Sequence, residues 1–244
     1  MKAYTLTDIG KVRSENQDCV RFVSPAGANY NVLALCDGMG GAKSGGVASE
    51  IALNSFVGGV RMHITEMKKG DALEEVVLKA AEHANEQVYN CSLTDKKFEG
   101  MGTTLVAAVV KGTKCCILNV GDSRAYLISN GEITQITSDH SFVEDMVRRG
   151  SITREQARNH PRRNVITRAL GVEQTVECDI FTPIFRKNDI LLLCTDGLSN
   201  TLTDEEILEI TEKNKVLSDI GKELLDLTLS RGAPDNVTVG LLQK

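Results

Sequence analysis

Three short runs in the middle of the chain are rich in β-branched residues and follow one another closely. They cover 103–110, 114–120 and 124–128. Runs of this length, separated by turn residues, predict strands that are antiparallel neighbours. Asn130-Gly131 then follows, a strong signal for a two-residue hairpin because both residues tolerate positive φ. Another strand pair is predicted over 176–182 and 189–194.

Helical periodicity brackets this strand-rich middle. Over 71–92 apolar residues recur at spacings of three and four, which predicts an amphipathic helix. Two more helices are predicted over about 44–56 and 217–230. Between 141 and 168 the strand pattern disappears and arginines accumulate, which predicts a helical, partly mobile insertion. The class is therefore α+β, with helices packed on antiparallel sheets.

The length of the chain indicates its domain organisation, and its net charge excludes some classes of partner. The chain of 244 residues shows no repeat or linker, so we expect one domain over 1–244 with a flap insertion at about 141–168. A net charge of -5 argues against general binding to nucleic acid or to an anionic membrane. We expect a monomer.

Cysteine usage and hydropathy indicate the compartment. The seven cysteines are odd in number and never spaced C-x-x-C, which indicates buried thiols in a reducing environment. No apolar run is long enough to span a bilayer, and the N-terminal stretch lacks a signal peptide's apolar core. We expect a cytoplasmic protein.

The glycine-rich stretch from Leu33 to Gly46, "LALCDGMGGAKSGG", has the composition of a phosphate-binding loop. A P-loop requires glycine before Lys43-Ser44, where this chain has Ala42. A dinucleotide-binding turn requires a third glycine at the position of Lys43. Both nucleotide interpretations therefore fail.

Aspartate recurs at the ends of the apolar runs. Three runs end in it, at Asp37, Asp122 and Asp196, while Asp18 and Asp235 come just before strands. An ordinary turn explains any one of them, because Asp and Gly favour turns. Together they would converge wherever the strand ends meet, and their charges would then need neutralising.

Hard divalent cations suit such a site. Mg²⁺ and Mn²⁺ prefer oxygen ligands, and no cluster of cysteine or histidine suggests zinc. Two such ions can clamp an oxyanion and lower the pKa of a water molecule. The pattern therefore predicts phosphate-ester chemistry.

Eight stretches in chain order carry a family resemblance: "DIGKVRSENQD", "LCDGMGG", "GMGTTL", "NVGDSRAY", "TSDHS", "NHPRRNVITRALG", "LLLCTDGL" and "PDNVTV". They resemble the metal-dependent serine/threonine protein phosphatases of type 2C, in their short bacterial form, over nearly the whole chain. The resemblance implies two antiparallel sheets sandwiched between helix pairs. It also implies hydrolysis of phosphoserine and phosphothreonine in proteins by direct attack of a bridging metal-bound water, without a phosphoenzyme.

The resemblance implies ligands for two Mn²⁺ or Mg²⁺ ions and for a third ion that binds more weakly. Asp37 is similar to the ligand that bridges the first two ions, and the Gly38 carbonyl would bind the second. Asp196 and Asp235 would complete the coordination of the first ion. Asp122 would bind the third ion beside Asp196.

Three further residues have roles by the same resemblance. Arg13 is similar to the family's phosphate-binding arginine, whose planar fork matches two phosphate oxygens. Asp18 would orient metal-bound water from behind the ligands. Asn236 is expected to fix the loop that aims Asp235. A cognate serine/threonine kinase is the partner that the resemblance implies.

Met39 departs from many animal members, which have a proton-donating histidine there. A thioether cannot donate a proton, so the general acid is open between a water on the third ion, His140 and His160. The two other histidines, His63 and His83, are expected on helix surfaces.

Two other classes of function stay open at this point. One is a catalytically inactive member that binds phosphoproteins, which the loss of a metal aspartate would favour; none is missing here. The other is an interaction protein without metal, in which the aspartates only form turns.

Overall fold

The computed structural model describes residues 1–68 and 70–244, and the side chains of 41–43, Lys43 among them, lie outside the description. Helices are α1 (Gly41–Glu66), α2 (Leu73–Ser92), α3 (Phe142–Arg148), α4 (Arg154–Arg158), α5 (Asp196–Ser199), α6 (Asp204–Lys213) and α7 (Leu217–Ser230), with a 3₁₀ turn at Lys96–Phe98. Among the described residues, no helix has the length and apolar character needed to cross a membrane.

Within residues 1–68 and 70–244, eleven strands form two antiparallel sheets. They are β1 (Lys2–Asp8), β2 (Asp18–Val23), β3 (Tyr30–Met39), β4 (Gly102–Thr103), β5 (Leu105–Lys111), β6 (Lys114–Val120), β7 (Arg124–Ser129), β8 (Glu132–Gln135), β9 (Asp179–Phe181), β10 (Ile190–Cys194) and β11 (Val237–Gln243). One sheet has the order β1-β11-β10-β7-β8, and the other β2-β3-β5-β6-β9, with β4 paired to β3.

Alternating side chains explain how the layers stack. On β3, Val32, Ala34 and Cys36 pack with α1 and α2, whereas Leu33 and Leu35 pack in the cluster between the sheets. On β10, the odd-numbered leucines enter the same central cluster, and their neighbours pack against α6 and α7. Both faces of each sheet are therefore buried, which gives the predicted α+β sandwich of helix, sheet, sheet and helix layers.

Helix predictions succeeded where periodicity was continuous. The predictions over 71–92 and 217–230 match α2 and α7. The prediction over 44–56 was wrong at its end, because α1 continues to Glu66. Gly58-Gly59 lowers helix propensity, but Gly59 allows close packing, since a Cβ there would lie 3.1 Å from Ala80 of α2. Packing against α2 thus outweighs local propensity.

Two predicted strand pairings were also wrong. β5 and β6 pair, but the next strand, β7, belongs to the other sheet and pairs with β8 and β10. Likewise β9 pairs with β6, whereas β10 lies in the other sheet. The short connection at 121–123 carries the chain from one sheet to the other. The predicted hairpin at Asn130-Gly131 is confirmed, with φ of 54° and 78°.

The region predicted as an insertion lies between β8 and β9. It contains α3 and α4, capped by the side chains of Ser141 and Thr153. Its two ends are tied together, because Ser141 and Ile166 form an isolated β-bridge. The segment therefore leaves the sheets and returns at nearly the same place.

Candidate metal centre

A cavity of about 460 Å³ opens where strands of both sheets end. Seven of the eight predicted site residues line it: Arg13, Asp37, Gly38, Asp122, Asp196, Asp235 and Asn236. The eighth, Asp18, is paired with Asp37 in the register of β2 and β3. The structure thus brings together residues that are more than 200 positions apart in the chain.

Both backbone polar groups of Asp37 form hydrogen bonds with Thr104. Its N–H donates to the Thr104 hydroxyl and its carbonyl accepts from the Thr104 N–H, each at 2.9 Å. The Thr104 hydroxyl also shares a 2.8 Å hydrogen bond with the buried hydroxyl of Ser123. Hydrogen bonds from Thr104, which lies between β4 and β5, and from Ser123 in the sheet-to-sheet connection therefore hold the end of β3 that carries Asp37.

Gly38 must be glycine because α1 passes directly over it. A Cβ at this position would lie 2.1 Å from the Gly45 carbonyl oxygen. The glycine-rich stretch therefore serves close packing of a helix against the end of β3. Gly38 itself is among the residues that line the cavity.

Asp18 lies behind the cavity and is only 6% exposed. Its Oδ2 accepts from Thr195 at 2.9 Å and from Thr238 at 2.6 Å, while its Oδ1 is buried and has no partner among the described residues. Burial chiefly raises the pKa of Asp18 to about 7, with Asp196 and Asp235 adding to the rise and the two threonines opposing it.

Asp122 follows the crossover glycine. Gly121 adopts a φ of 105° and is fixed by His140, whose Nδ1 accepts from the Gly121 N–H at 3.1 Å. Its carbonyl accepts from the His140 N–H at 2.9 Å. A turn that requires glycine thus places Asp122 in the cavity.

Asp196 is the first residue of α5, and only Thr195 separates it from β10. Asn200 donates to its Oδ2 at 3.0 Å, but its Oδ1 is buried and unpartnered in the described part of the chain. Burial raises the pKa of Asp196 to about 6, with the charge of Asp235 the next cause, while the charges of Arg124 and Arg13 oppose the rise.

Arg13 lies at the rim of the cavity with its side chain 54% exposed. Its Nη2 donates to Asp235 Oδ2 at 2.7 Å, and this bond is the main reason that the pKa of Arg13 is raised.

Asn236 anchors the loop that carries Arg13. Its Nδ2 donates to the carbonyls of Ile9 and Glu15, and its Oδ1 accepts from the Gln17 N–H, all within 3.0 Å. Its own N–H donates to the adjacent Asp235 carboxylate at 2.8 Å. Asn236 thus contacts the Asp235 carboxylate through its backbone and fixes the Arg13 loop through its side chain. Its role in aiming Asp235 stays a prediction.

The carboxylates raise one another's pKa. Burial is the largest cause of the raised pKa of Asp37, followed by the charges of Asp18, Asp196 and Asp122. Burial and then Asp196 raise the pKa of Asp122. Such mutual repulsion in a desolvated place favours a positively charged ligand.

The donor set fits a hard divalent cation. Two buried carboxylate oxygens, Asp18 Oδ1 and Asp196 Oδ1, have no hydrogen-bond partner in the described part of the chain. Asp37, Asp122 and Asp235 share the cavity with Asp196. No group of three or more His, Cys, Asp or Glu side chains within 1–68 and 70–244 is arranged to hold an ion as it stands. Mg²⁺ commonly keeps several waters and uses only one or two carboxylates, so a donor set of this kind accommodates it.

Neither histidine alternative lines the cavity. His140 is buried, with its Nε2 3.2 Å from Asp179, and burial chiefly lowers its pKa. The His160 ring lies 5.9 Å from that of Phe142 in the insertion. Met39, in contrast, does line the cavity.

Comparison with known proteins decides the family. A family model described as Protein phosphatase 2C matches residues 11–226. The chain belongs to the protein phosphatase 2C family. The relative "Serine/threonine phosphatase stp" of Listeria monocytogenes serotype 4b is 38% identical over all of this chain and 96% of its own length. "Protein phosphatase PhpP" of Streptococcus pneumoniae strain D39 is 35% identical over 99% of this chain and 97% of its own.

Solved structures agree with this family assignment. Stp1 from Staphylococcus aureus superposes with a TM-score of 0.92 at 37% identity, covering all of this chain and 94% of Stp1. The catalytic domain of PstP in complex with two manganese ions gives a TM-score of 0.82 at 36% identity, covering 98% of this chain and 96% of that one. The predicted fold class and the prediction of a protein serine/threonine phosphatase are confirmed.

Several residues of this protein phosphatase 2C site were not predicted from the sequence. Thr104 and Ser123 support Asp37, whereas Thr195 and Thr238 support Asp18. Each lies next to or near a predicted aspartate or in the "GMGTTL" motif, so the signal was present. Their partners come from distant strands, however, and local patterns do not specify those contacts.

Proposed function

We propose that this protein hydrolyses phosphoserine and phosphothreonine in other proteins, with Mn²⁺ or Mg²⁺ as cofactor. The observation that carries the proposal is the shared cavity of Asp37, Asp122, Asp196 and Asp235, with Arg13 at its rim. Membership of the protein phosphatase 2C family supports the same reaction.

Two core ions and a weaker third are assigned to the carboxylates. Asp37 would bridge the core pair, with Asp196 and Asp235 on the first ion and the Gly38 carbonyl on the second. Asp122 and Asp196 would hold the third. When bound, such ions supply a water of lowered pKa for attack on phosphorus and an acidic water near the leaving oxygen. The structure of PstP with two manganese ions supports the core pair.

Arg13 is the proposed phosphate ligand. A guanidinium has five N–H donors, and the bond from Nη2 to Asp235 occupies only one of them. Its exposure at the rim leaves the remaining donors accessible to two phosphoryl oxygens. Arg13 would thereby orient the phosphoryl group over the carboxylates and offset its charge.

Asp18 and Asn236 are proposed to act through other residues. The unpartnered Asp18 Oδ1 can accept a hydrogen bond from water held at the carboxylates, while two threonines fix its other oxygen. Asn236 holds the Arg13 loop and the Asp235 carboxylate in fixed positions relative to each other. Both residues would therefore affect positioning more than charge.

The domain organisation belongs to the same proposal: one domain over 1–244, with the insertion at 141–168 selecting phosphoprotein substrates. Support comes from Arg158 and Arg163, which line a second cavity of about 280 Å³ that shares Asp122 and Asp196 with the first. The cognate kinase, the monomeric state, the cytoplasmic location and the lack of nucleic-acid and membrane partners stay predictions.

Phosphate release from a phosphothreonine peptide tests the proposal directly. We expect turnover with Mn²⁺, loss of turnover on adding a chelator, and recovery when excess Mn²⁺ is restored. Tight binding of the phosphopeptide without turnover would instead favour an inactive phosphoprotein-binding module. Absence of both binding and turnover would favour an interaction protein in which the aspartates have no metal.

A further inference from the structure

A third cavity, of about 270 Å³, adjoins the metal centre. Met39 and Ile166 line both this cavity and the central one, so the two are neighbours along a shared wall. Met39 directly follows Gly38, whose carbonyl is among the proposed metal ligands. Any ligand seated over the carboxylates therefore has this side cavity beside it.

The far wall of the side cavity is rigid because Asn85 fixes its backbone. Asn85, buried on α2, donates to the carbonyls of Glu173 and Gln174, each at 3.1 Å, and accepts from the Gly171 N–H at 2.8 Å. A bridge between Thr103 and Leu170 ties the same segment to β4. The wall is thus preformed, as expected of a binding site rather than of a loose surface loop.

Apolar side chains form one side of this cavity. The Met39 Cε and the Val172 Cγ2 both pack over Gly102, at 2.9 and 2.8 Å from the place where a Cβ would stand. Val172 is nevertheless 46% exposed, so its side chain is accessible from the cavity. Together with Ile166 these residues offer an accessible apolar surface next to the metal centre.

The charge balance of the side cavity is negative. Arg168 is neutralised by Glu177 at 2.8 Å and by Asp179 at 2.9 Å. Glu173 also lines the cavity, and no hydrogen bond or ion pair among the described residues engages its side chain. One carboxylate is therefore left without a partner beside an apolar strip.

We infer that this side cavity is a specificity subsite for a basic residue of the substrate near its phosphorylated residue. The methylene stem of lysine or arginine would lie along Met39 and Val172, and its charge would meet Glu173. An extended peptide spans about 3.3–3.6 Å per residue, so a side chain one to three positions from the phosphoresidue can reach a neighbouring cavity. This inference rests on the proposed function and names the class of substrate that it prefers.

A lysine scan locates and tests the subsite. Phosphothreonine peptides in an alanine background carry one lysine at each position from three before to three after the phosphoresidue. We expect at least one position at which lysine raises kcat/KM about two- to fivefold over alanine, the range for an accessible ion pair. Glu173→Gln should abolish this preference, and Glu173→Lys should make glutamate at that position better than lysine.

Two controls separate this effect from others. Glu212→Gln, on the exposed surface of α6, should keep the lysine preference. Turnover of p-nitrophenyl phosphate should be the same in wild type and Glu173→Gln, because this ester does not reach the subsite.

Each outcome is decisive. A wild type that hydrolyses all peptides without any lysine preference, or a Glu173→Gln variant that keeps it, would overturn the subsite and leave the proposed function intact. A wild type that hydrolyses neither peptides nor p-nitrophenyl phosphate with Mn²⁺ would overturn the proposed function, and the inference with it.

Discussion

The aspartate cavity and the arginine-rich insertion over 141–168 are built in opposite ways. In the cavity, fully buried hydroxyls of Ser123, Thr195 and Thr238 hold the carboxylates or their supports. In the insertion, α4 has no buried residue, and the pair that joins it to α3, Arg154 with Glu144, has an arginine side chain that is 73% exposed.

This difference in burial implies a difference in rigidity between the two regions. Buried hydrogen bonds are costly to break, about 1–3 kcal/mol for each unsatisfied group, so the carboxylates are preorganised. Exposed ion pairs contribute only about 0–1 kcal/mol, so the insertion can adjust to different partners. The proposal is therefore that the chemistry depends on the strand ends and that substrate choice depends on segments outside the sheets.

Substitution of Asp37 should cause the largest loss of turnover. A small loss would contradict the view that the chemistry depends on the aspartate cavity. Asp37→Asn removes the carboxylate proposed to touch both core ions, and we expect turnover to fall by about 10³-fold or more, equivalent to ~4 kcal/mol of activation free energy. Phosphate release with Mn²⁺ measures it. Asp226→Asn, a matched change on the exposed face of α7, should keep full turnover.

The same variant should be folded and, without metal, more stable than wild type. Removal of one buried charge relieves repulsion by Asp18, Asp196 and Asp122. Thermal unfolding in chelator should therefore show a higher midpoint for Asp37→Asn. Near-normal turnover by this folded variant would contradict the assignment of a bridging ligand.

Substitution of Asp122 separates the proposed third ion from the core pair. Asp122→Ala should leave the core ions bound but lower phosphothreonine turnover by about 10²- to 10⁴-fold, because Met39 cannot serve as general acid. The loss should be smaller for p-nitrophenyl phosphate, whose leaving group needs little protonation. Equal losses on both substrates would argue against a proton-donating role, and loss of all tight metal would make Asp122 a core ligand.

Thr104 tests whether buried support, and not charge alone, sets the rate. Thr104→Val keeps the shape but removes the hydroxyl that accepts from the Asp37 N–H. We expect about 1–3 kcal/mol less stability in denaturant unfolding and about a tenfold loss of kcat. Thr134→Val, on the exposed face of β8, should change neither. Unchanged kcat in Thr104→Val would show that the aspartate cavity tolerates loose support.

Shortening the insertion should give the smallest effect on the chemistry itself. Replacing its tip, residues 150–159, by a short glycine linker should lower phosphoprotein turnover several-fold and leave p-nitrophenyl phosphate turnover nearly unchanged. The two rates measured on one preparation provide the comparison. If both rates fall equally, the insertion supports the fold and does not select substrates.

Local patterns predicted the parts of the fold that depend on nearby residues. Continuous periodicity identified α2 and α7, and Asn130-Gly131 identified its hairpin. α6 was missed although Thr203 and Glu206 form a capping box that the sequence displays. Closer attention to capping signals would have found this helix.

Local sequence patterns did not predict the strand pairing or the hydrogen bonds that support the site. A short turn between β6 and β7 has the same local sequence character whether the strands pair or enter different sheets, and only distant strands decide between them. The aspartates were visible because they recur at strand ends. Arg13 at the rim came from a family resemblance, while its bond to Asp235, 222 positions away, required the structure.

Calorimetric titration with Mn²⁺ tests most directly the claim that strand-end aspartates form one metal centre. Wild type should bind two ions tightly, with a weaker third at higher concentration, and Asp226→Asn should behave identically. Asp37→Asn should lose both tight ions together, because this one carboxylate is proposed to bind each of them. Two tight ions retained by Asp37→Asn, or none bound by wild type, would contradict the account.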